Sequence, residues 1–194
     1  MNIKVDDSIS MVPLDDQHAE PVFQLVSANR QQLREWLPWV DNMESVDFIK
    51  NFIRDSKKRW EEKSDYAFVV LLNDTIIGRI GIYKIDNQNK IGAIGYWLGG
   101  DHQGKGIMTK ACKALINYCF SSFGLNRIEI KCGTKNYKSQ SIPERLFLKK
   151  EGVIKEGELL YDEFIDLFSY AITKSEWQRI NETQNTDSVI RESF

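Results

Sequence analysis

The chain has 194 residues, 42% hydrophobic and 28% charged, the balance of one soluble globular domain with an ordinary core. A formal net charge of −2 gives no broad attraction to nucleic acid or an anionic membrane, so an RNA-rich partner would have to be met by a local basic patch. Cys112, Cys119 and Cys132 are odd in number and lack Cys-x-x-Cys spacing, which argues against a disulfide framework and a zinc ribbon and for a reducing cytoplasm.

The start, Met1-Asn-Ile-Lys-Val-Asp-Asp, lacks the basic-then-apolar pattern of a signal peptide, and no run nears the ~20 apolar residues of a membrane span, so a cytoplasmic protein is expected. Residues 8–14 read as a first strand, with Asp15 and Asp16 placed to cap the next helix. Ala19, Val22, Phe23, Val26, Leu33 and Leu37 recur at three- and four-residue steps. That spacing predicts one amphipathic helix, ending before Pro38 because proline disfavours helical geometry in the residue ahead of it. Phe48, Ile49, Phe52, Ile53 and Trp60 predict a second helix over 45–62, capped by Ser45. Residues 66–72 and 75–85 are β-branched and aromatic runs around Asn73-Asp74, a hairpin, and 90–98 is a third strand.

After a glycine-rich turn, Ile107, Ala111, Leu115 and Tyr118 mark the buried face of a helix that Gly124 ends. Residues 127–132 alternate as a strand. A helix comes next over 136–150, with Pro143 acceptable only near its first turn, and 153–160 with 163–172 close the chain as a hairpin. The order β, α, α, β, β, β, α, β, α, β, β fills a single domain, 1–174, and leaves 175–194 as a polar tail, helical in part or disordered.

The stretch Ile94-Gly95-Tyr96-Trp97-Leu98-Gly99-Gly100-Asp101-His102-Gln103-Gly104-Lys105-Gly106-Ile107-Met108-Thr109 organises the rest. Gly104 and Gly106 allow a sharp turn with consecutive N–H groups exposed, and a helix beginning near Lys105 adds the positive end of its dipole, which together make a phosphate seat. Gly99-x-x-x-x-Gly104-Lys105 begins like a Walker A loop, yet Gly106 stands where a Ser or Thr should hold Mg²⁺. Gly104-x-Gly106-x-x-Thr109 begins like a dinucleotide fingerprint, yet lacks the third glycine.

What remains, Gln103-x-x-Gly106-x-Met108, resembles the pyrophosphate loop of the GCN5-related N-acetyltransferases (GNAT), with Met108 in place of the usual small residue. With Trp36-Leu-Pro-Trp39 upstream and Asn136-Tyr-Lys-Ser139-Gln-Ser-Ile-Pro-Glu-Arg-Leu146 downstream, the string is similar to the RimL/RimJ-type ribosomal-protein N-terminal acetyltransferases and their Bacillus relatives over most of 8–173. Phe147-Leu148 replaces the Gly-Phe that usually comes after the Pro-Glu-Arg-Leu segment in these proteins. The resemblance implies an α/β (α+β) fold with a mixed, mostly antiparallel sheet of about seven strands, splayed at the cofactor site and flanked by about four helices. It implies acetyl-CoA as co-substrate, no metal, and a homodimer as a common state. Main-chain groups of Tyr96, Trp97 and Leu98 would pair with the pantetheine amides, and those of Gln103, Gly104, Lys105, Gly106, Ile107 and Met108 would hold the pyrophosphate. Without that resemblance, the glycines read equally well as a tight strand–helix connection.

By the same resemblance Asn136 and Ser139 face the sulfur of the cofactor. Ser139 is either the acid that protonates the departing thiolate or an ordinary helix cap, and Asn136 is a cap or a cofactor contact. Trp36 and Trp39 either line a groove for an acceptor peptide or pack where a helix ends. An α-amino acceptor, with a pKa near 7.7 to 8.0, asks little of a general base. The glutamate that some relatives carry after the Gly-Tyr-Trp-Leu strand is replaced by Gly99-Gly100-Asp101, so Asp101 and His102 are candidates by residue type and the base stays unassigned. No cysteine sits in a recognisable nucleophile setting, which favours direct attack of the amine on the thioester. The expected function is N-acetylation of a ribosomal-protein N-terminus. Acetylation of a small amine such as a polyamine or aminoglycoside, favoured by an acidic acceptor pocket, and CoA binding without turnover are the alternatives.

Overall fold

The computed structural model describes the backbone of residues 1–192 and the side chains of 1–183. Ile3–Lys4 (β1) pairs antiparallel with Ile9–Pro13 (β2), and β2 pairs with Tyr66–Leu72 (β3). Asn73 and Asp74, both left-handed at φ +46° and +63°, turn β3 into Thr75–Asp86 (β4), the backbone twist a two-residue hairpin needs. Ile91–Leu98 (β5) lies antiparallel to β4, and Arg127–Gly133 (β6) lies parallel to β5. Lys149–Leu160 (β7) and Glu163–Thr173 (β8) form the closing hairpin, giving the sheet order β1-β2-β3-β4-β5-β6-β8-β7. The count is eight strands against about seven expected, because β1 is two residues long and leaves no periodic trace.

Among the described residues six α-helices flank this sheet, against about four expected, because the first divides in two and the C-terminal stretch is helical. The predicted single helix before Pro38 is two: Ala19–Ala28 (α1) and Arg30–Leu33 (α2). Asn29 breaks it. Its amide donates to the Leu25 carbonyl at 2.8 Å, and its side-chain oxygen accepts the Gly100 N–H at 2.7 Å, a partner 71 positions away that no local pattern reveals. Val46–Glu61 (α3) starts at Ser45 as expected, although the Ser45 side chain makes no capping bond. Ile107–Ser121 (α4) begins two residues later than predicted, because Gly106 itself takes the N-cap position. Tyr137–Arg145 (α5) is shorter than its predicted 136–150 and carries Pro143 in its last turn rather than in its first. Lys174–Glu192 (α6) opens the stretch read as a polar tail. Thr173 and Glu176 exchange capping bonds at its start, and buried Trp177 donates to Asn117 on α4 at 2.6 Å. Residues 193 and 194 lie outside the described residues.

Strand alternation sends side chains to two cores. Phe68, Val70, Ile80, Ile82, Ile94, Ile128 and Ile130 pack under Ala111, Leu115, Ile116 and Cys119 of α4. Ala67 and Val69, on the opposite face, pack against Val22, Val26, Ile49 and Ile53 of α1 and α3. Leu115 is fully buried, so Leu115→Ala removes packing that the sheet below cannot refill. Denaturant unfolding should show a loss of about 2–5 kcal/mol, and a loss below about 1 kcal/mol would contradict this description of the core.

Candidate active site

β5 and β6 share a ladder only from Ile91↔Arg127 to Ile94↔Ile130. Beyond that point β5 pairs with β4 alone, through Gly78↔Leu98, and β6 pairs with β8 alone. The two parallel neighbours separate, and the main chain of 95–98 is left with one edge that no strand pairs, met among the described residues only at the Leu98 carbonyl by the Gln103 side chain. That edge offers hydrogen-bonding groups to an extended ligand rather than to protein.

The strand runs straight into the cradle. Gly99 N–H donates to Ile77 at 2.9 Å, a 3-10 turn spans Gly100–His102, and Gly104 and Gly106 both sit at φ +73°. A side chain there would be strained by the backbone conformation alone, while the space where each Cβ would stand holds no protein atom within 4 Å. Among the described residues, the main-chain N–H groups of Gly104, Lys105, Gly106, Ile107 and Met108 have no protein acceptor. Five free donors at the start of a 15-residue helix form an anion seat. Gln103 differs from its expected role: its N–H donates to Gly100 at 3.1 Å and its side chain to the Leu98 carbonyl at 3.2 Å, so it shapes the loop and the free run begins at Gly104.

Across the gap stands a cluster of hydroxyls and a thiol. The Tyr96 hydroxyl donates to the Ser139 carbonyl at 3.0 Å, the Ser139 hydroxyl donates to Tyr96 Oη at 3.3 Å, and Cys132 Sγ lies 3.2 Å from Ser139 Oγ. Pro143 explains the first of these bonds. In an uninterrupted helix residue 143 would donate to the Ser139 carbonyl, but proline has no N–H and leaves that acceptor to tyrosine. Burial raises the Tyr96 phenol well above its ordinary pKa and also raises the Cys132 thiol, so both hold their protons at neutral pH. Asn136 Oδ1 accepts the Ser139 N–H at 3.1 Å, the helix cap, and buried Gln140 fastens α5 to the end of β6 through the carbonyls of Gly133 and Thr134 at 2.9 and 3.0 Å.

The other face of the sheet carries the aromatic groups. Trp97 points there while Tyr96 points to α4, as strand alternation requires. Trp39 lies 6.3 Å from the Trp97 ring and stacks at 6.4 Å on Phe48, so it is packed into the α1/α3 core margin. Trp36 stands over Gly133 at the end of β6, so close that a Cβ on that glycine would lie 2.9 Å from its ring. Both tryptophans are half-buried, Trp36 at the end of β6 and Trp39 behind Trp97. Asp101 is exposed, and His102 Nδ1 is shielded without a partner; neither is drawn into the Tyr96–Ser139 cluster. A carboxylate that residue patterns miss is Glu158 on β7. The residue is exposed on the strand, yet the protein on its inner side raises its pKa, and it and Cys132 both raise that of the half-buried Tyr83. Its setting in Lys-Glu-Gly-Glu reads as a solvated run, which the structure keeps exposed, and the pairing of β7 with β8 brings it within electrostatic reach of Tyr83. Among the described residues no group of His, Cys, Asp and Glu is placed to hold a metal, and no helix is long and apolar enough to cross a membrane.

The acetyltransferase (GNAT) domain family matches residues 9–148. The chain is 32% identical to YdaF of Bacillus subtilis (strain 168) over 176 residues, 90% of this chain and 96% of that protein. It is 31% identical to the ribosomal-protein-serine acetyltransferase of Escherichia coli (strain K12), over 87% of this chain and 94% of that one. RimL, a ribosomal L7/L12 alpha-N-protein acetyltransferase solved in complex with coenzyme A disulfide-bonded to a cysteine, superposes with a TM-score of 0.86 at 25% identity, covering 89% of this chain and 98% of that one.

Asn136→Ala removes the cap of α5 and should lower stability by about 1 kcal/mol in thermal or urea unfolding, with Asn136→Asp restoring most of it. Equal stability of the alanine and aspartate variants would show that the cap is not what holds Ser139 in place.

Proposed function

The chain belongs to the acetyltransferase (GNAT) family and uses acetyl-CoA, and from that premise we propose that it acetylates the N-terminal α-amino group of a ribosomal protein by direct attack on the thioester. The observation that carries this reading is the unpaired edge of 95–98 running into five free N–H groups, a strand-like slot followed by a diphosphate seat. The residues fit the co-substrate: a Cβ at Gly104 or Gly106 would stand in the open space over the N–H run. Tyr96, Trp97 and Leu98 would hold the pantetheine arm by main-chain bonds, and Gly104 to Met108 the diphosphate. The thioester supplies the activated acetyl group. The cysteine bound to coenzyme A in RimL supports placing the sulfur end at Cys132, the thiol beside Ser139 and Tyr96.

Ser139 donates a hydrogen bond to the departing thiolate, which leaves as CoA thiol by taking the proton the amine releases, and Tyr96, held protonated by burial, keeps its own proton on the Ser139 carbonyl and positions that hydroxyl. Asn136 acts on this step only by fixing the start of α5. Glu158 is our candidate base. A carboxylate with a pKa raised by desolvation lies nearer the operating pH, and it accepts the ammonium proton directly or through a water. Trp36, at the mouth, offers a rigid flat surface to the acceptor backbone, with Trp39 supporting Trp97 behind it.

Calorimetry should show acetyl-CoA binding in the micromolar range, and Gly106→Glu should abolish it by placing a carboxylate and its bulk in the diphosphate seat. Retained affinity in that variant would overturn the site. Turnover on ribosomal-protein N-terminal peptides should exceed turnover on polyamines and aminoglycosides; the reverse order would replace the acceptor. Because the base works only when deprotonated, kcat/KM should rise with pH through the raised Glu158 pKa. Glu158→Gln should lose that limb and about 100-fold or more in rate, and an unchanged profile would remove Glu158 from the chemistry.

A further inference from the structure

Arg79 sits in β4 directly between Val69 of β3 and Trp97 of β5. Its guanidinium lies 4.1 Å from the centre of the Phe52 ring on α3. The residue is half-buried, its Nε is shielded without a partner, and among the described residues the side chain makes no hydrogen bond and no ion pair. The adjoining Arg59, 5.6 Å from the same ring, has a counter-charge: its Nε forms an ion pair with Asp65 at 2.6 Å, although without a hydrogen bond of good alignment. Arg127, likewise, is held by Glu129 and Glu151. Arg79 alone of these three has a five-donor fork with no oxygen to receive it.

An uncompensated buried charge is destabilising, and a stack on one ring offsets only part of that. Desolvation and the neighbouring Arg59 lower its pKa to about 10, so the side chain remains cationic at neutral pH. It is not sealed off, since the residue keeps partial access to solvent. Its location ties it to the cleft. Arg79 and Trp97 are cross-strand partners on the face opposite α4, with Cβ atoms about 5 Å apart, and Trp97 lies in the stretch whose far edge is unpaired. An anion on this fork would therefore lie within one or two strand spacings, about 5–10 Å, of the acetyl transfer gap.

Resting on the reading of the cleft as an acetyltransferase site, we propose that Arg79 is a specificity residue that receives an oxyacid group, a carboxylate or a phosphate, carried by the acceptor within a few residues of its reactive amine. The planar fork donates two parallel hydrogen bonds to either group, and the Phe52 ring covers one of its faces. The same placement disfavours polyamines, whose second cation would meet the Arg79–Arg59 pair.

The test compares three tetrapeptide amides that differ at the second residue, Ala-Asp-Ala-Ala, Ala-Asn-Ala-Ala and Ala-phosphoSer-Ala-Ala. The wild type should prefer the aspartate or the phosphoserine peptide over the asparagine peptide by tenfold or more in kcat/KM, and which of the two leads identifies the source of the anion. Arg79→Gln should bring the ratio to within twofold of unity, and Arg79→Lys, which keeps the charge without the fork, should retain part of it. No preference in the wild type, or an undiminished ratio in Arg79→Gln, overturns the proposal. Should both variants fail to fold, the wild type still decides: millimolar acetate or inorganic phosphate should compete with the anionic peptide and not with the asparagine peptide, and equal competition overturns it. Tryptophan fluorescence of CoA-saturated protein reads the same binding preference without turnover. A chain that binds anionic peptides selectively and acetylates none loses the proposed function and keeps this inference.

Discussion

Two parallel strands that part company midway set the terms for everything else in this molecule. While β5 and β6 share a ladder, the sheet is an ordinary buried core; once they diverge after Ile94, peptide groups at the centre of the protein lack partners. Buried unpaired main-chain groups are costly, so such a gap persists only where something else meets them. An extended amide-bearing arm satisfies that requirement from outside the chain. The glycine turn beyond the strand then supplies a charge-complementary terminus for the same ligand at the point where α4 begins. Slot and seat are consecutive in sequence, so a single continuous segment fixes their spacing.

Alternation along β5 divides the labour. Tyr96 faces α4 and α5 and joins the thiol–hydroxyl cluster, while its neighbour Trp97 faces α1 and α3 and joins the aromatic margin. In the reaction proposed here the leaving group and the incoming amine would be handled on opposite faces of one strand, through adjacent residues. Asn29 keeps the arrangement in register. By leaving the helix to hold Leu25 and Gly100 at once, it ties the acceptor-side helices to the loop that begins the diphosphate seat.

Much of this is legible in the residues. The glycine spacing, the hairpin around Asn73-Asp74 and the alternation of Ile128, Ile130 and Cys132 are local signals, and the structure keeps them. The hidden part depends on partners distant in sequence. The break at Asn29 needs Gly100, and the docking of α6 needs Asn117 to receive Trp177. Arg79 reads as one more polar residue on a strand because its ring partner belongs to α3. Phe147 stands where a glycine usually ends this helix in similar proteins. The backbone does take the left-handed turn that glycine would favour, φ +59°, and the strain falls on an exposed phenylalanine without altering the fold.

Pro143 gives the α5 helix a second use. An imino acid six residues beyond the first helical position ordinarily counts as a defect, since one rung of the ladder is missing. Here the missing rung leaves a carbonyl that the Tyr96 phenol grips across the gap, so the main-chain vacancy anchors a side chain of the opposite strand. Any other residue at that place would restore a local donor and set it in rivalry with the phenol for the same oxygen. The helix would gain regularity, and the tyrosine would lose its undivided claim on the acceptor that orients it.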